Sequence, residues 1–500
     1  MDTVLLGATE LTAAEVAALA RRRAAPMIAE EALARVRAAG AAARAAVAAS
    51  ADQPTYGYGT GVGANLTTPV SAEHFDRFGL DLLRAHSGGF GPLLPAPIAR
   101  AMLAVRLNQL LRAATAVDQD VVRTLAGALA SGHVPAVHGH GSIGTGDLSA
   151  LAELALTLSG ELPWLAHTGE RPAPEPVRLS GWDALPLISS SALTIGRAAL
   201  AAADLRVLLE AVPPLAALAL LAVGGSLEPF DASVHRLRPH AGAAATAARM
   251  RALLPHPPAP PARVQDRFGL RSLPQVHGAA VEAFDALDAV LRIEINAAAE
   301  NPLLVRSDAA GAPRYVHHGG FHQAHLALAL DHLRLALVGV AGLGAARLAE
   351  LFEPGRTGLP PFLARGRDGS SGLMILEYGV QSALAQLRAA AQPATLNHAV
   401  MSRGDEDHAN FAPLAAAKLE ECVELLRLIL AAELVATTRA LRMRGVEVAA
   451  AGSAELAEFA AAAAAVLDPR TEDRNLTEDV ERAGRLLLPP HDLDPVPGPR

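Results

Sequence analysis

The 500-residue sequence is 51% hydrophobic with a net charge of -8, so it can bury a large core in one big domain or two closely packed ones. It has no basic block that could neutralise phosphates, which argues against nucleic acid as a partner. The single cysteine, Cys422, excludes an intrachain disulfide framework and suits a reducing cytoplasm.

Near the N-terminus, Thr12-Ala13-Ala14-Glu15 predicts a capping box that opens a helix ending near Pro26. No basic region followed by an apolar run precedes it, so we expect no signal peptide. The longest apolar runs, such as Leu215 to Val223, are too short to span a bilayer, and we expect a cytoplasmic protein with no membrane partner. Apolar residues at three- and four-residue spacing predict helices over 97–131, 193–224, 276–300, 322–352, 371–391 and 411–445.

The sequence predicts an all-α fold, because aromatic residues make up only 3% and no β-branched alternating run is present. Long helices of this kind usually pack as a central bundle. We expect residues 1–195 to form a loop-rich N-terminal region that carries the active-site loops. Residues 196–490 are expected to form the long-helix bundle of the same continuous fold, and 491–500 a poorly structured tail.

Segments rich in Gly, Pro and polar residues separate the predicted helices, and loops on a rigid helical scaffold are where chemistry is expected. These segments are 51–72, 132–147, 161–180, 256–261 and 353–373. The second of them ends in Gly141-Ser142-Ile143-Gly144-Thr145-Gly146-Asp147, followed by Leu148. This stretch resembles the segment Gly-Ser-(Val/Ile)-Gly-Ala-Ser-Gly-Asp-Leu of the histidine and phenylalanine ammonia-lyases. It is one residue shorter, and Gly144-Thr145-Gly146 stands in the place of Ala-Ser-Gly.

Other loops resemble the same family, in its order and at about its spacing. They are Tyr56–Gly63, the segment around His86, Gln265–Arg271 with Pro274-Gln275, Glu300–Leu303, Gly319–His322, Leu359–Leu363 and Glu406–His408. The resemblance covers roughly residues 5–490. It implies an all-α homotetramer whose active sites combine loops of three subunits and act on a small-molecule amino acid or betaine. In this family Ala-Ser-Gly cyclises and loses water to give methylidene-imidazolone (MIO), an electrophile for the nitrogen end of the substrate.

The resemblance also implies roles for single residues. Tyr56 matches the tyrosinate base, and Arg271 matches the arginine whose planar fork holds the substrate carboxylate. Glu406 resembles the carboxylate of the histidine-type enzymes, which can pair with a cationic imidazole or an amine. His86 likewise favours an imidazole or another polar side chain. Further residues on the family's substrate-binding pattern are Ser189, Gln265, Phe268 and Phe321.

Each of these side chains also has a purely structural interpretation. Tyr56 can be a turn aromatic in a Gly-rich loop, and Arg271 can belong to a salt bridge between helices. Glu406 can be one member of a solvated acidic run, and His86 a hydrogen-bonded loop histidine.

Other cofactors are disfavoured by the sequence. His317, His318, His322 and His325 suggest a metal site, because His322 and His325 would share one face of a helix starting near Phe321. The family places its Phe-His pair here without a metal, so we expect none. The glycines of 57–63 do not follow a strand of a βαβ unit, which argues against a dinucleotide loop. No lysine lies near any motif, which argues against pyridoxal phosphate.

Thr145 is the main departure from the family pattern. Gly144 and Gly146 allow the tight backbone turn that cyclisation needs. Dehydration of a threonine would, however, give an ethylidene, whose extra methyl group hinders attack on the electrophilic carbon. Two neighbours of the electrophile also differ, since Ser189-Ser190-Ser191-Ala192 replaces Asn-Gly-Thr-Gln and Phe268 replaces a second tyrosine.

Three functions therefore stay open. The first is a carbon–nitrogen lyase that converts an α-amino acid with an imidazole or aromatic side chain to an α,β-unsaturated acid, through a self-derived imidazolone from Gly144-Thr145-Gly146. The second has no electrophile and eliminates trimethylamine from a betaine such as ergothioneine. The third is a non-catalytic ligand-binding or scaffold homologue. The exact substrate and any aminomutase activity are not fixed by the sequence.

Overall fold

A computed structural model describes residues 2–50, 54–165, 172–255, 263–306, 312–366 and 368–490. The predicted tail at 491–500 and the Pro-rich segment 256–261 lie outside the described residues, as does part of the predicted loop 161–180. Nearly all of the described secondary structure is helical, as expected for an all-α protein.

The helices differ widely in length, from single turns to more than eight turns. They are α1 (Ala13–Ala20), α2 (Glu30–Ala49), α3 (Phe75–His86), α4 (Ala96–Leu110), α5 (Gln119–Ser131), α6 (Leu148–Leu158), α7 (Gly181–Ile188), α8 (Ala192–Val223), α9 (Ala232–Leu237), α10 (Ala241–Leu253), α11 (Phe268–Arg271), α12 (Leu273–Asn296), α13 (Ala324–Leu351), α14 (Pro354–Thr357), α15 (Ile375–Ala390), α16 (Ala412–Arg444), α17 (Val448–Ala451), α18 (Ala454–Val466) and α19 (Thr477–Leu487).

Short strands form only two-stranded sheets among the described residues. They are β1 (Asp2–Leu6), β2 (Ala24–Ile28), β3 (Phe90–Leu93), β4 (Val134–Pro135), β5 (His138–His140), β6 (Trp164–Leu165), β7 (Leu303–Val305) and β8 (Arg314–Val316). β1 pairs with β2 in parallel, while β3 with β5, β4 with β6 and β7 with β8 are antiparallel. These pairs fasten loops to the helical scaffold rather than form a layer of their own.

The centre of the molecule is a bundle of α8, α12, α13 and α16, with α4 packed on α8 and α15 on α16. Ala and Leu dominate α8, and both are strong helix formers. α8 is buried along most of its length and ends at Gly224, whose φ of 62° gives the left-handed cap that glycine adopts without strain. One continuous hydrophobic core joins the N-terminal region to this bundle.

Two helical stretches in the described ranges are long and apolar enough to cross a bilayer by length and composition alone. They are 181–223, which contains α7 and α8, and α13. The most apolar window of the first stretch is 78% buried inside the bundle, whereas that of α13 is 50% buried. The high apolar content of the first stretch is explained by its burial in the protein core. On α13, Leu328 and Leu335 are 61% and 52% exposed in the single chain.

Several predicted boundaries are corrected by the structure. The helix expected over 97–131 is two helices, because α4 stops at Leu110 and α5 starts only at Gln119. The capping box at Thr12 and Glu15 is confirmed, but α1 ends at Ala20, and Pro26 lies in β2. α13 begins at Ala324, so the expectation that His322 and His325 share a helix face was wrong.

Candidate active site

The segment from Ile143 to Asp147 is a tight loop fixed at both ends. Gly144 and Gly146 have φ angles of 99° and 114°, which residues with a Cβ rarely adopt. The Phe411 N–H donates to the Ile143 carbonyl at 3.0 Å, and the Asp147 N–H donates to the Ser190 carbonyl at 2.7 Å. The sequence therefore needs glycine at both positions to make this turn.

Three helices begin around this loop. α6 starts directly after Asp147, α8 starts after Ser191, and α16 starts after Phe411. The buried Asp147 carboxylate ties two of them together, because it accepts from the Thr194 N–H at 2.8 Å and the Thr194 hydroxyl at 3.0 Å. Helix N-termini carry partial positive charge and unpaired N–H groups, so the loop lies in a field that favours negative charge.

Thr145 and Glu406 meet although they are far apart in the sequence. The Thr145 hydroxyl donates to Glu406 Oε2 at 3.1 Å, and the Ser402 hydroxyl donates to Glu406 Oε1 at 2.8 Å. Both carboxylate oxygens are thus engaged, which fixes the orientation of this half-buried side chain. A carboxylate held in this way can accept a proton or face a cation.

Tyr56 lies within electrostatic range of this carboxylate in the same chain. Burial raises the pKa of Tyr56 above its usual value, and the negative charges of Glu406 and Asp405 raise it further. The Gly63 N–H donates to the phenol oxygen at 2.7 Å, which partly offsets the rise in pKa. The Tyr56 N–H also donates to His317 Nε2 at 3.2 Å, so the histidine ring helps to hold the loop.

Asn410 is a site residue that the sequence analysis did not identify. Its side chain is 4% exposed, and its amide donates to the Gly144 carbonyl at 2.6 Å. Its Oδ1 accepts from the Ala412 N–H at 2.9 Å at the start of α16. Asn410 lies two positions after the Glu406–His408 motif, just before α16. An asparagine at the start of a helix was the only sign in the sequence that this residue has a specific role.

The serines of 189–191 form buried polar contacts beside the loop. Ser189 Oγ accepts from the Asn301 N–H at 2.9 Å, and Ser190 Oγ donates to Gln109 Oε1 at 2.6 Å. Ser191 Oγ donates to the Phe321 carbonyl at 3.3 Å, which places Phe321 at the edge of the same region. The Ser190 carbonyl connects this segment to the Thr145 loop, because it accepts from the Asp147 N–H.

A second cluster contains Gln265, Phe268 and Arg271. Arg271 donates to Gln265 Oε1, and its guanidinium carbon lies 4.6 Å from the centre of the Phe268 ring. Phe268 is 65% exposed, and Gln265 and Arg271 border an open cleft of 290 Å³. Among the described residues no hydrogen bond, ion pair or ring contact joins this cluster to Thr145. In the described part of the single chain, these contacts therefore do not connect the two halves of the predicted site.

His86 ends α3 and is half-buried. Its Nδ1 lies 2.8 Å from the Leu82 carbonyl, which can only accept, so Nδ1 carries the proton. No described contact joins His86 to Tyr56 or Thr145, so its predicted role in substrate binding stays a prediction.

The loop residues fit the self-derived ring that the resemblance implies. The two glycines have no side chains that would resist a compact turn, the Gly144 carbonyl already receives a strong donor, and the Thr145 hydroxyl is held by Glu406. Two of the histidines near the loop contact each other. His322 Nε2 lies 3.0 Å from His408 Nδ1, and no group of three potential ligands in the described ranges is arranged around a common ion position.

We expect Gly144→Ala to destabilise the protein strongly. A Cβ at residue 144 would overlap Asn410 Oδ1 and lie 2.6 Å from Asn410 Cγ. The overlap should cost roughly 1–3 kcal/mol of unfolding free energy. The positive φ should cost a further ~1–3 kcal/mol. Urea unfolding of the wild type and of Gly144→Ala measures the combined loss in the free energy of unfolding.

Gly404→Ala is the matched control for this substitution. Gly404 has a φ of 101°, and a Cβ there would meet nothing within 4 Å, so only the backbone strain applies. The double variant Gly144→Ala/Asn410→Ala lacks the obstructing side chain. Its free energy of unfolding should recover by the amount by which the loss in Gly144→Ala exceeds the loss in Gly404→Ala. Equal losses for Gly144→Ala and Gly404→Ala would contradict the predicted overlap.

Comparison with known proteins gives a consistent result. The family model described as "Aromatic amino acid lyase" matches residues 11–465. A histidine ammonia-lyase from Streptomyces coelicolor is 35% identical over 508 aligned residues, covering 98% of each chain. A histidine ammonia-lyase structure from Trypanosoma cruzi superimposes with a TM-score of 0.87 at 27% identity, covering 97% of this chain and 93% of that one. An ergothionase structure from Treponema denticola has the same fold, with a TM-score of 0.88 at 23% identity over 97% and 98% of the two chains.

Proposed function

The chain belongs to the aromatic amino acid lyase family and is an ammonia-lyase-like enzyme, and on that premise we propose that its substrate is an α-amino acid with an imidazole ring or a related aromatic side chain. The reaction breaks the bond between the α-carbon and the amino nitrogen and gives an α,β-unsaturated acid. The observation that carries the proposal is that Glu406 accepts from the Thr145 hydroxyl and acts electrostatically on Tyr56 within one chain.

Tyr56 is proposed to remove the β-proton. In the free enzyme its raised pKa keeps the phenol protonated near neutral pH. A cationic substrate placed between Tyr56 and the carboxylates of Glu406 and Asp405 would offset their charge, because an opposite charge close by favours the phenolate. Substrate binding would then activate the base at the point where it is needed.

Glu406 is proposed to face a cationic group of the substrate. The Ser402 hydroxyl orients Oε1, and ring formation would remove the Thr145 hydroxyl that occupies Oε2, so Oε2 would be open to an imidazolium or ammonium group. A ring derived from Gly144-Thr145-Gly146 would supply the electrophile that makes the amine a better leaving group. Asn410 and Glu406 contact the two oxygens of the unreacted loop that ring formation would remove, so both side chains would lie beside the ring.

We propose that Arg271 binds the substrate carboxylate from a neighbouring copy of the chain, in a homotetramer. Two features support this. The Arg271 cluster is exposed and separate from Thr145 in the single chain. α12 and α13 also expose large apolar side chains, with Ile293 68%, Leu328 61% and Leu335 52% exposed. An interface between copies of the chain would bury these side chains and remove their apolar surface from water.

A second candidate function is elimination of trimethylamine from a betaine. It is favoured by the Thr145 side chain, whose extra methyl would hinder an electrophile, and by the acidic pair Glu406 and Asp405 beside Tyr56. A trimethylammonium group already carries the charge that makes it a good leaving group. Tyr56 would keep its role, and Glu406 would face the permanent cation.

A substrate screen with identification of the released amine tests these functions. Purified enzyme is incubated with histidine, phenylalanine, tyrosine and their trimethylated betaines, and the absorbance of the conjugated acid is followed. Release of ammonia from histidine at the highest rate is expected. Release of trimethylamine alone would favour the second function. Binding without turnover for all six compounds would contradict both functions and leave a ligand-binding homologue.

A further inference from the structure

The Gly144 carbonyl and the Asn410 side chain form an unusually well-fixed donor–acceptor pair. The amide nitrogen lies 2.6 Å from the carbonyl oxygen, in a buried setting where a hydrogen bond is electrostatically stronger than in water. The Asn410 amide cannot swing away, because its Oδ1 accepts from the Ala412 N–H at 2.9 Å. Asn410 also fills the space that a side chain at residue 144 would need.

The other partner in ring closure is the backbone nitrogen of Gly146. Within the described part of the chain, no acceptor receives a hydrogen bond from the Gly146 N–H. The flanking Asp147 N–H is tied to the Ser190 carbonyl, and the flanking Ile143 carbonyl is tied to the Phe411 N–H. Hydrogen bonds therefore fix the loop on both sides of Gly146, while the Gly146 N–H itself donates no described hydrogen bond.

We propose that Asn410 is a catalytic residue in the formation of this chain's own electrophile, and that its amide stabilises the negative charge that develops on the Gly144 oxygen during cyclisation of Gly144-Thr145-Gly146. Preorganised donors aimed at a developing oxyanion are effective because they need no reorganisation during the reaction. The N-termini of α6, α8 and α16 add to the same field. The inference rests on the ring-bearing form of the proposed function.

The atoms balance without an oxidant. The Gly146 nitrogen forms a bond to the Gly144 carbonyl carbon and loses its proton, and the carbonyl oxygen becomes a hydroxyl. That hydroxyl leaves with the proton of the Thr145 amide as the first water, which leaves a carbon–nitrogen double bond between Gly144 C and Thr145 N. The Thr145 hydroxyl then leaves with its Cα proton as the second water. The resulting Cα–Cβ double bond keeps the threonine methyl group.

Intact-protein mass during cell-free synthesis tests this role independently of turnover. The wild-type chain should lose the mass of two waters. Asn410→Ser keeps a hydroxyl that can cap the Ala412 N–H but does not reach Gly144, and ring closure should slow by roughly 10²–10³-fold, as for loss of one oxyanion donor. Most of the freshly made variant should keep its full mass. Thr145→Ala gives the mass change expected for loss of the first water alone, because alanine lacks the hydroxyl that leaves as the second water.

Asn475→Ser is the matched control. Asn475 Oδ1 accepts from the Thr477 N–H at 2.8 Å, which is the same capping contact two residues ahead, and its side chain is exposed. This control should lose two waters at the wild-type rate. Circular dichroism shows whether each variant folds, and Asn410→Ala provides a second test if Asn410→Ser does not.

Four results would overturn the assignment. They are an undiminished wild-type mass, equal ring closure in Asn410→Ser and the wild type, an equal slowing in Asn475→Ser, and loss of folding in both Asn410 variants, which would make the residue structural. The first of these would leave the lyase proposal standing if the purified protein still released an amine. Conversely, if the wild type lost two waters, Asn410→Ser closed the ring slowly and neither turned over any substrate, the role of Asn410 would be supported and the lyase proposal contradicted.

Discussion

Tyr56→Phe is expected to lower kcat by about 10²–10⁴-fold, the usual contribution of a positioned general base. The substitution removes only the phenol oxygen, which accepts from the Gly63 N–H at 2.7 Å, so the loop should keep its aromatic packing. Steady-state rates with the best substrate of the screen measure the effect. Tyr378→Phe is the matched control, because Tyr378 is 65% exposed on α15, and its rate should stay at the wild-type value.

The pH profile should identify Tyr56 as the group that titrates. Burial and the charges of Glu406 and Asp405 raise the Tyr56 pKa, so the phenolate form and kcat/KM should increase with pH into the alkaline range. Glu406→Gln removes one of the charges that raise this pKa, so its alkaline limb should move to lower pH even though the maximum rate falls. An unchanged limb in Glu406→Gln, or a wild-type rate in Tyr56→Phe, would exclude Tyr56 as the base.

Arg347→Met is expected to destabilise the protein by about 3–5 kcal/mol, as when one partner of a buried ion pair is removed. Arg347 and Glu433 connect α13 to α16 through two hydrogen bonds of 2.6 and 2.8 Å, and both side chains are at most 1% exposed. The remaining Glu433 carboxylate would be buried without its partner. Chemical unfolding monitored by circular dichroism measures the loss in free energy of unfolding.

The loss should depend on pH in a defined direction. Burial raises the pKa of Glu433, and the Arg347 charge opposes that rise, so the substitution raises the pKa further. A carboxyl group with a raised pKa in the folded state stabilises the protein at acidic pH and loses that contribution as pH rises. Arg347→Met should therefore be less destabilising at acidic pH than at neutral pH.

Two variants separate this effect from a general loss of charge. Arg482→Met breaks the exposed pair with Glu478, in which the side chains are 43% and 72% exposed, and should change the unfolding free energy by less than ~1 kcal/mol. Arg347→Met/Glu433→Leu should recover much of the loss, because an apolar pair can replace a buried ion pair. If Arg347→Met were no worse than Arg482→Met, the buried pair would not be a major source of stability.

Arg347 also contacts the short helix that carries part of the predicted substrate site. Its guanidinium donates to the Gly269 carbonyl at 3.2 Å, inside the short helix α11 that carries Phe268 and Arg271. Residual Arg347→Met protein that folds should therefore show a raised KM, since α11 loses its anchor to the bundle.

Most of the fold was predictable from helical periodicity. The predicted ends of α8, α12, α13, α15 and α16 differ from the observed ends by a few residues, because long Ala- and Leu-rich faces give a strong 3.6-residue signal. The break between α4 and α5 was missed because apolar residues continue through it. The turn there uses Ala113 with a φ of 58°, and the only local sign of a new helix is Asp118, which caps the Asp120 N–H.

The site was predictable only where a recognisable motif carried it. Tyr56, Thr145 and Glu406 stood in motifs, and the structure brings them together. Asn410 contacts Gly144 across 266 positions in the sequence. Such a contact depends on how α16 packs beside α6 and α8, and no local pattern encodes it. The separation of Arg271 from Thr145 likewise depends on three-dimensional packing.

The fit between Gly144 and Asn410 also constrains the order in which this sequence could have changed. An alanine at position 144, as in the Ala-Ser-Gly of the resembling enzymes, and an asparagine at position 410 exclude one another in this backbone. An ancestor with alanine could accept Asn410 only after the alanine had become glycine. With Asn410 present, a change from glycine to alanine at position 144 would be disfavoured by the overlap. The pair would then make the change in the loop difficult to reverse, because a return to alanine at position 144 would first require the loss of Asn410.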